Sequence, residues 1–126
     1  LEYGTVITSP PKKNDIRLIE SVQNSFTRRL YSRQKGRYVN HTDSDYKTAA
    51  ERNSLFGLAS LEHRRKAIDK LTINKMIAGK IDLKTSEFFN VLQNNRTRTK
   101  TKFSWTRCKS NLRRHFFVNR TLSNMI

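Results

Sequence analysis

Apolar residues recur at helical spacing in the first third of the chain, just after the helix breaker Pro10-Pro11. Asn14 or Asp15 can cap the N-terminus of the predicted helix. The apolar stripe runs over about four turns, and it consists of Ile16, Ile19, Val22, Phe26 and Leu30. The opposite side is polar. The pattern therefore predicts a helix over 14–32 whose stripe packs into the core.

Three further helices are predicted before residue 94. Ser44 or Asp45 can cap a short helix through 49–51, which Gly57 ends. Ser60 can cap a longer helix that runs to Gly79. Its apolar positions are Leu61, Ile68, Leu71 or Thr72, and Met76. Thr85 or Ser86 can cap a last short helix, in which Phe88, Phe89, Val91 and Leu92 supply the side chains for burial.

The C-terminal part has a different pattern. Residues 94–102 contain no apolar side chain, and from Arg96 to Lys102 charges alternate with threonines. This tract is either an extended strand with one basic face or disordered. Leu112, Phe116 and Leu122 predict a terminal helix. We therefore expect a mainly α fold, with a small helical domain of about four helices over 1–93 and a basic segment over 94–126.

Charge is the feature that points to a partner. The chain carries 26 Lys/Arg against 10 Asp/Glu, a formal net charge of +16 over 126 residues, and 88–126 contain no acidic residue at all. Such a segment cannot neutralise itself, and nucleic acid is the commonest polyanion in a cell.

Aromatic rings lie between the C-terminal charges. They are Phe103, Trp105, Phe116 and Phe117, and Arg113 and Arg114 directly precede the last pair. Cations and flat rings interleaved in this way suit phosphates and unstacked bases. The alternative interpretation is a solvated basic arm whose rings pack into a core. The sequence leaves both interpretations open for the rings.

Other chemistry is scarce. Cys108 is the only cysteine, which excludes an intrachain disulfide and favours a reducing, intracellular compartment, cytoplasmic or nuclear. Cys108 and His115 alone do not make a tetrahedral zinc site. No apolar run has the length of a membrane span. We expect no cofactor and no membrane partner.

An ordered set of segments resembles the region C-terminal to the catalytic palm in reverse transcriptases of non-LTR (LINE-type, jockey-like) retrotransposons. The segments are LEY at 1–3, IESVQ at 19–23 with FTRRL at 26–30, SLEHRRK at 60–66, KMIAGKID at 75–82 after Asp69, SEFF at 86–89, NRTR at 95–98 and NLRRHFFVNR at 111–120. The set covers nearly the whole chain, although no single segment is specific. The chain departs from the family at His63, where a Tyr is usual, and at Met125, where a Trp is usual.

The resemblance implies a parent RNA-directed DNA polymerase, of which this chain is the thumb and post-thumb region. In the family, a Tyr-x-Asp-Asp motif and a second Asp upstream hold the Mg²⁺ ions of polymerisation. This sequence has no Asp-Asp pair, and Asp43 and Asp45 are better explained by turn chemistry. The chain, whose two ends look cut, is expected to be a fragment that is inactive as an enzyme on its own.

The resemblance gives the chain the role of gripping RNA template and DNA through phosphates, beside the rest of the parent enzyme. The predicted nucleic-acid-binding residues are, with the strongest candidates first, Arg96, Arg98, Lys100, Lys102, Arg113 and Arg114, then Arg28, Arg29, Arg64 and Arg65, with Trp105 as a stacking ring. Two alternatives stay open: a small free-standing basic RNA- or DNA-binding protein, or a non-functional translated transposon remnant.

Overall fold

A computed structural model describes residues 4–7, 9–93, 101–103 and 108–125. Within these ranges the fold is mainly helical, as the sequence predicts. The helices are α1 (Lys13–Lys35), α2 (Ala49–Leu55), α3 (Leu61–Ile77), α4 (Thr85–Phe88), α5 (Asn111–Arg114) and α6 (Phe117–Met125). Strands β1 (Val91–Gln93) and β2 (Thr101–Phe103) pair antiparallel, with Val91 opposite Phe103. Part of the predicted extended tract thus lies in β2.

The helix ends differ from the prediction in three places. Helix α4 begins after Lys84 without a side-chain cap, so Thr85 and Ser86 are not caps, and Val91 and Leu92 lie in β1 instead of in this helix. Helix α1 begins after Lys12 without a side-chain cap, so Asn14 and Asp15 are not caps, and Asp15 lies in the first turn. Helix α2 is capped by Thr48 instead of Ser44 or Asp45. Thr48 and Glu51 form a reciprocal capping box, in which the Thr48 backbone N–H donates to Glu51 at 2.6 Å. This hydrogen bond, followed by that from the Thr48 hydroxyl, holds the pKa of Glu51 below its usual value.

Two helix ends follow the prediction. The Ser60 hydroxyl accepts from the His63 backbone N–H at 3.2 Å at the start of α3. Gly79 follows α3 with φ of 66°, a left-handed conformation in which a side chain would be strained.

The chain forms two compact units. The first is built from Pro10–Arg64 and the second from Gly4–Ser9 together with the chain from Arg65 onward.

The first unit buries a different face of α1 from the one that the apolar stripe predicts. Val22 is 50% exposed and Phe26 is 60% exposed, whereas Gln23, Thr27 and Tyr31 are buried. The predicted core stripe is therefore wrong by about a quarter turn of the helix. Hydrogen-bonding residues face inward in its place.

The reason is a buried arginine on α2. Arg52 is 4% exposed, and its guanidinium donates to Thr27 Oγ1 at 3.5 Å and also to Asn24 Oδ1 and the Lys47 carbonyl oxygen. A buried guanidinium requires acceptors around it, so α1 presents its polar side chains to α2. Further along the same face, the Tyr31 hydroxyl donates to the Asp45 carbonyl oxygen at 2.8 Å.

Because α1 buries Tyr31 and exposes Phe26, deleting the two rings should destabilise the protein by very different amounts. Phe26→Ala should change the free energy of unfolding by no more than about 0.5 kcal/mol, as for an ordinary surface substitution. Tyr31→Ala removes a ring that is only 4% exposed and should cost about 3–5 kcal/mol. Urea unfolding at low protein concentration measures both. Equal costs would contradict the observed phase.

The second unit has an apolar core. Ile73, Met76, Phe89 and Leu122 are buried together, and Ile81, Phe103, Phe117 and Val118 pack against them. The rings of Phe89 and Phe103 lie 5.5 Å apart between centroids, at 58°. The predicted single terminal helix is instead two, α5 and α6. Leu112 is 89% and Phe116 64% exposed, so only Leu122 of the predicted positions is core.

An ion pair joins three segments of the second unit. The Arg120 side chain on α6 is 11% exposed and that of Asp69 on α3 is 4% exposed. Arg120 donates to the two Asp69 carboxylate oxygens, from Nε at 2.9 Å and from Nη2 at 3.1 Å. The same Nη2 donates to the carbonyl oxygens of Thr5 at 2.7 Å and Val6 at 2.9 Å. The pair thereby fastens the segment before α1 to α3 and α6.

Candidate nucleic-acid interface

The C-terminal half of α1 carries a cluster of three exposed arginines, Arg28, Arg29 and Arg33. Arg29 and Arg33, four residues apart, lie on neighbouring parts of the helix surface. The arginines line one cleft of about 410 Å³, together with Ser25, Ser32 and Tyr38. The described residues that line this cleft include no carboxylate, so its lining carries only positive charge.

Tyr38 holds one of these cations. Its ring, which is 59% exposed, lies under Arg28, with the guanidinium carbon 5.0 Å from the ring centroid. Arg28 also donates to the Tyr38 hydroxyl. This contact restrains a flexible side chain while keeping it at the surface. The cleft offers guanidinium forks and hydroxyl donors, the groups that bind phosphate oxygens best.

In the loop after α1, by contrast, the cation Arg37 forms ion pairs with carboxylates of this chain. Arg37 donates to Asp43 Oδ2 at 2.9 Å and to Asp45 Oδ2 at 3.3 Å. The Asn40 backbone N–H also donates to Asp43, and this hydrogen bond, followed by that from Arg37, lowers the pKa of Asp43. The hydrogen bond to Asp43 raises the pKa of Arg37.

Asp43 and Asp45 therefore act as turn and ion-pair residues, as turn chemistry predicts. Among the described residues, no three His, Cys, Asp or Glu side chains gather as a metal site would require. No helix in this part of the chain is long and apolar enough to cross a bilayer.

The predicted pair on α3 is less exposed than the α1 cluster. Arg64 is half-buried and donates to Gln23 Oε1 at 2.8 Å. Arg65 is 3% exposed, so its guanidinium does not face a phosphate of a bound duplex. Burial therefore removes Arg65 from the surface cations, and Gln23 on α1 engages Arg64.

Arg113 and Arg114 are exposed on α5 in the second unit. Arg113 lines a cleft of about 430 Å³ with the exposed rings of Phe88 and Phe116, but Glu87 also lines it. Of the four interleaved rings, Phe103 and Phe117 pack against the core and Phe116 is exposed. The alternative interpretation thus holds for two rings.

Three of the strongest sequence candidates, Arg96, Arg98 and Lys100, and the predicted stacking ring Trp105 lie outside the described residues. Lys102 falls in β2, opposite Leu92, and its side chain is also outside the described part. Sequence reasoning missed Arg33 and Tyr38. The spacing of Ser25, Arg29 and Arg33 by four was visible as one helix face, whereas the contact of Tyr38 with Arg28 depends on the turn after Gly36.

No protein-family model, curated protein or solved structure matches this chain.

Proposed function

We propose that this chain is the nucleic-acid-gripping part of an RNA-directed DNA polymerase of the non-LTR retrotransposon type. In this role it binds the template–primer duplex through phosphates, without reading sequence and without carrying the catalytic carboxylates. The observation that supports the proposal most is the arginine cleft on α1, in a chain of net charge +16.

The cleft fits a phosphate backbone better than a small anionic ligand. Its three guanidinium groups span two successive turns of one helix, and a nucleic-acid backbone presents its charges in a row. Hydrogen bonds to phosphates carry no base information. Binding through this face is therefore expected to be tight at low salt and indifferent to sequence.

The ordered segments that resemble the family supply the enzyme class. Several of their residues are buried or form ion pairs within the second unit, among them Asp69, Phe89 and Arg120. Positions that are spread along the chain and pack into one unit are what a common fold would require. The specific class rests on this resemblance, and the binding role rests on charge and geometry.

Replacing Arg28, Arg29 and Arg33 by Gln together should weaken duplex binding. If each contacts one phosphate, the slope of log K against log salt should become shallower by about 2–3 units. Titrations with an RNA–DNA hybrid at several salt concentrations measure this slope. The matched control replaces Lys12, Lys13 and Arg17 by Gln, which are exposed cations of the same total charge near the start of α1.

Equal slopes for the two triple variants would mean that net charge alone matters and that the cleft is not the interface. A separate observation tests the enzyme class. The transcript that encodes Leu1 should continue in frame upstream through a Tyr-x-Asp-Asp motif. If the transcript lacks that motif and the protein co-sediments with ribosomes, the two results together would support the free-standing basic protein.

A further inference from the structure

The exposed apolar stripe on α1 is a surface that the first unit leaves uncovered. Leu18 is 71% exposed, Val22 50%, Phe26 60% and Leu30 36%. These side chains follow one another every four residues, so they form one continuous strip along the helix. Single exposed apolar residues are ordinary, but a contiguous strip marks an interaction surface.

The ends of this strip carry opposite charges. Asp15 lies exposed in the first turn of α1, and Arg33 lies exposed in its last turn. At 100° per residue, Asp15 and Arg33 have the same angular position, in the middle of the arc that the apolar strip covers. Along the helix the surface therefore carries an acid, four apolar side chains and a base, with the exposed Arg29 about 40° to one side. Because Arg29 and Arg33 also line the cleft, this surface and a phosphate backbone compete for Arg33.

Two copies of this surface are complementary when the two helices run antiparallel. In an antiparallel pair with residue 24 of one helix beside residue 24 of the other, Leu18 faces Leu30, Val22 faces Phe26 and Asp15 faces Arg33. The same patch then serves both copies, as a two-fold interface requires. A purely acidic or purely basic partner would satisfy one end of the strip and oppose the other.

We infer that the α1 strip (Asp15, Leu18, Val22, Phe26, Leu30 and Arg33) binds the same strip of a second copy of this chain, in antiparallel orientation. Apolar burial drives the contact and the two Asp15–Arg33 pairs set its register. The net charge of +16 on each copy opposes association. Salt screens that repulsion within about 8 Å at physiological strength, so the dimer should tighten as salt rises.

Sedimentation equilibrium of the full, nuclease-treated chain tests the inference at about 10 µM to 1 mM protein, the range of weak contacts. The chain should follow a monomer–dimer equilibrium. Phe26→Ser should weaken it by at least about tenfold, because it places a polar group in a desolvated contact. The control Leu71→Ser, at an α3 side chain that is 56% exposed, should leave the equilibrium unchanged.

Two charge variants test the register. Asp15→Arg and Arg33→Asp should each dimerise less than the parent chain, because like charges then meet at both ends. Mixed in equal amounts, the two variants should associate with each other several-fold more tightly than either does with itself, because both end pairs are then restored. Circular dichroism checks that each variant is folded.

Several results would overturn the inference: a monomer at every concentration, an association that Phe26→Ser leaves unchanged, or a variant mixture no tighter than its components. A large fall in melting temperature on Phe26→Ser in dilute monomer would also overturn it. That result would show that the strip is covered within one chain.

Discussion

Asp69→Ala is expected to destabilise the second unit by about 3–5 kcal/mol, because it leaves the Arg120 guanidinium buried without its counter-ion. Arg120 cannot turn to solvent without releasing the carbonyl oxygens of Thr5 and Val6. A small domain has only about 5–15 kcal/mol of stability in total. The variant should therefore unfold at a much lower urea concentration, and amides of α6 should exchange faster.

Two companion variants separate the ion pair from the loss of a side chain. Asp82→Asn, at an exposed carboxylate, should change stability by no more than about 0.5 kcal/mol. The double variant Asp69→Leu with Arg120→Met removes both charges, and it should cost less than the sum of the two single changes. If Asp69→Ala unfolds like Asp82→Asn, the buried pair does not hold the unit together.

The sequence predicted the helices better than their buried faces. Helix positions follow from periodicity and from end signals such as Ser60 and Gly79, which act locally. The buried face of α1 does not follow locally, because Arg52 lies 25 residues from Thr27 and still decides which side of α1 turns inward. On α3, the buried positions Arg65 and Asp69 lie between Leu61 and Ile73, where apolar residues are expected.

The sequence predicted the positive charge of the candidate site but not which residues line it. Arg28 and Arg29 were identifiable as a basic pair, and the structure adds Arg33 and Tyr38 to them. Arg64 and Arg65 form the same kind of basic pair in the sequence as Arg28 and Arg29, but burial removes Arg65 from the surface. The difference lies in tertiary packing, which a charge pattern does not encode.

Replacing Arg96, Arg98, Lys100 and Lys102 by Gln is expected to have the largest effect on nucleic-acid binding. This tract carries four cations within seven residues and no acid. If each contacts a phosphate, the slope of log K against log salt for duplex DNA should become shallower by about 3–4 units, and by less for single strands. Random and element-derived RNA–DNA hybrids should weaken equally, because phosphate contacts carry no base information.

The matched control for this experiment removes four exposed cations elsewhere, by changing Lys12, Lys13, Arg17 and Lys70 to Gln. Both variants have the same net charge, so a larger change of slope in the 96–102 variant assigns the contacts to that tract. Trp105→Ala supplies an independent measurement. A stacking ring contributes about 1–3 kcal/mol to single-strand affinity without altering the slope. If the 96–102 variant binds as tightly as the parent chain at low salt, the tract is a solvated arm and the grip lies in the α1 cleft alone.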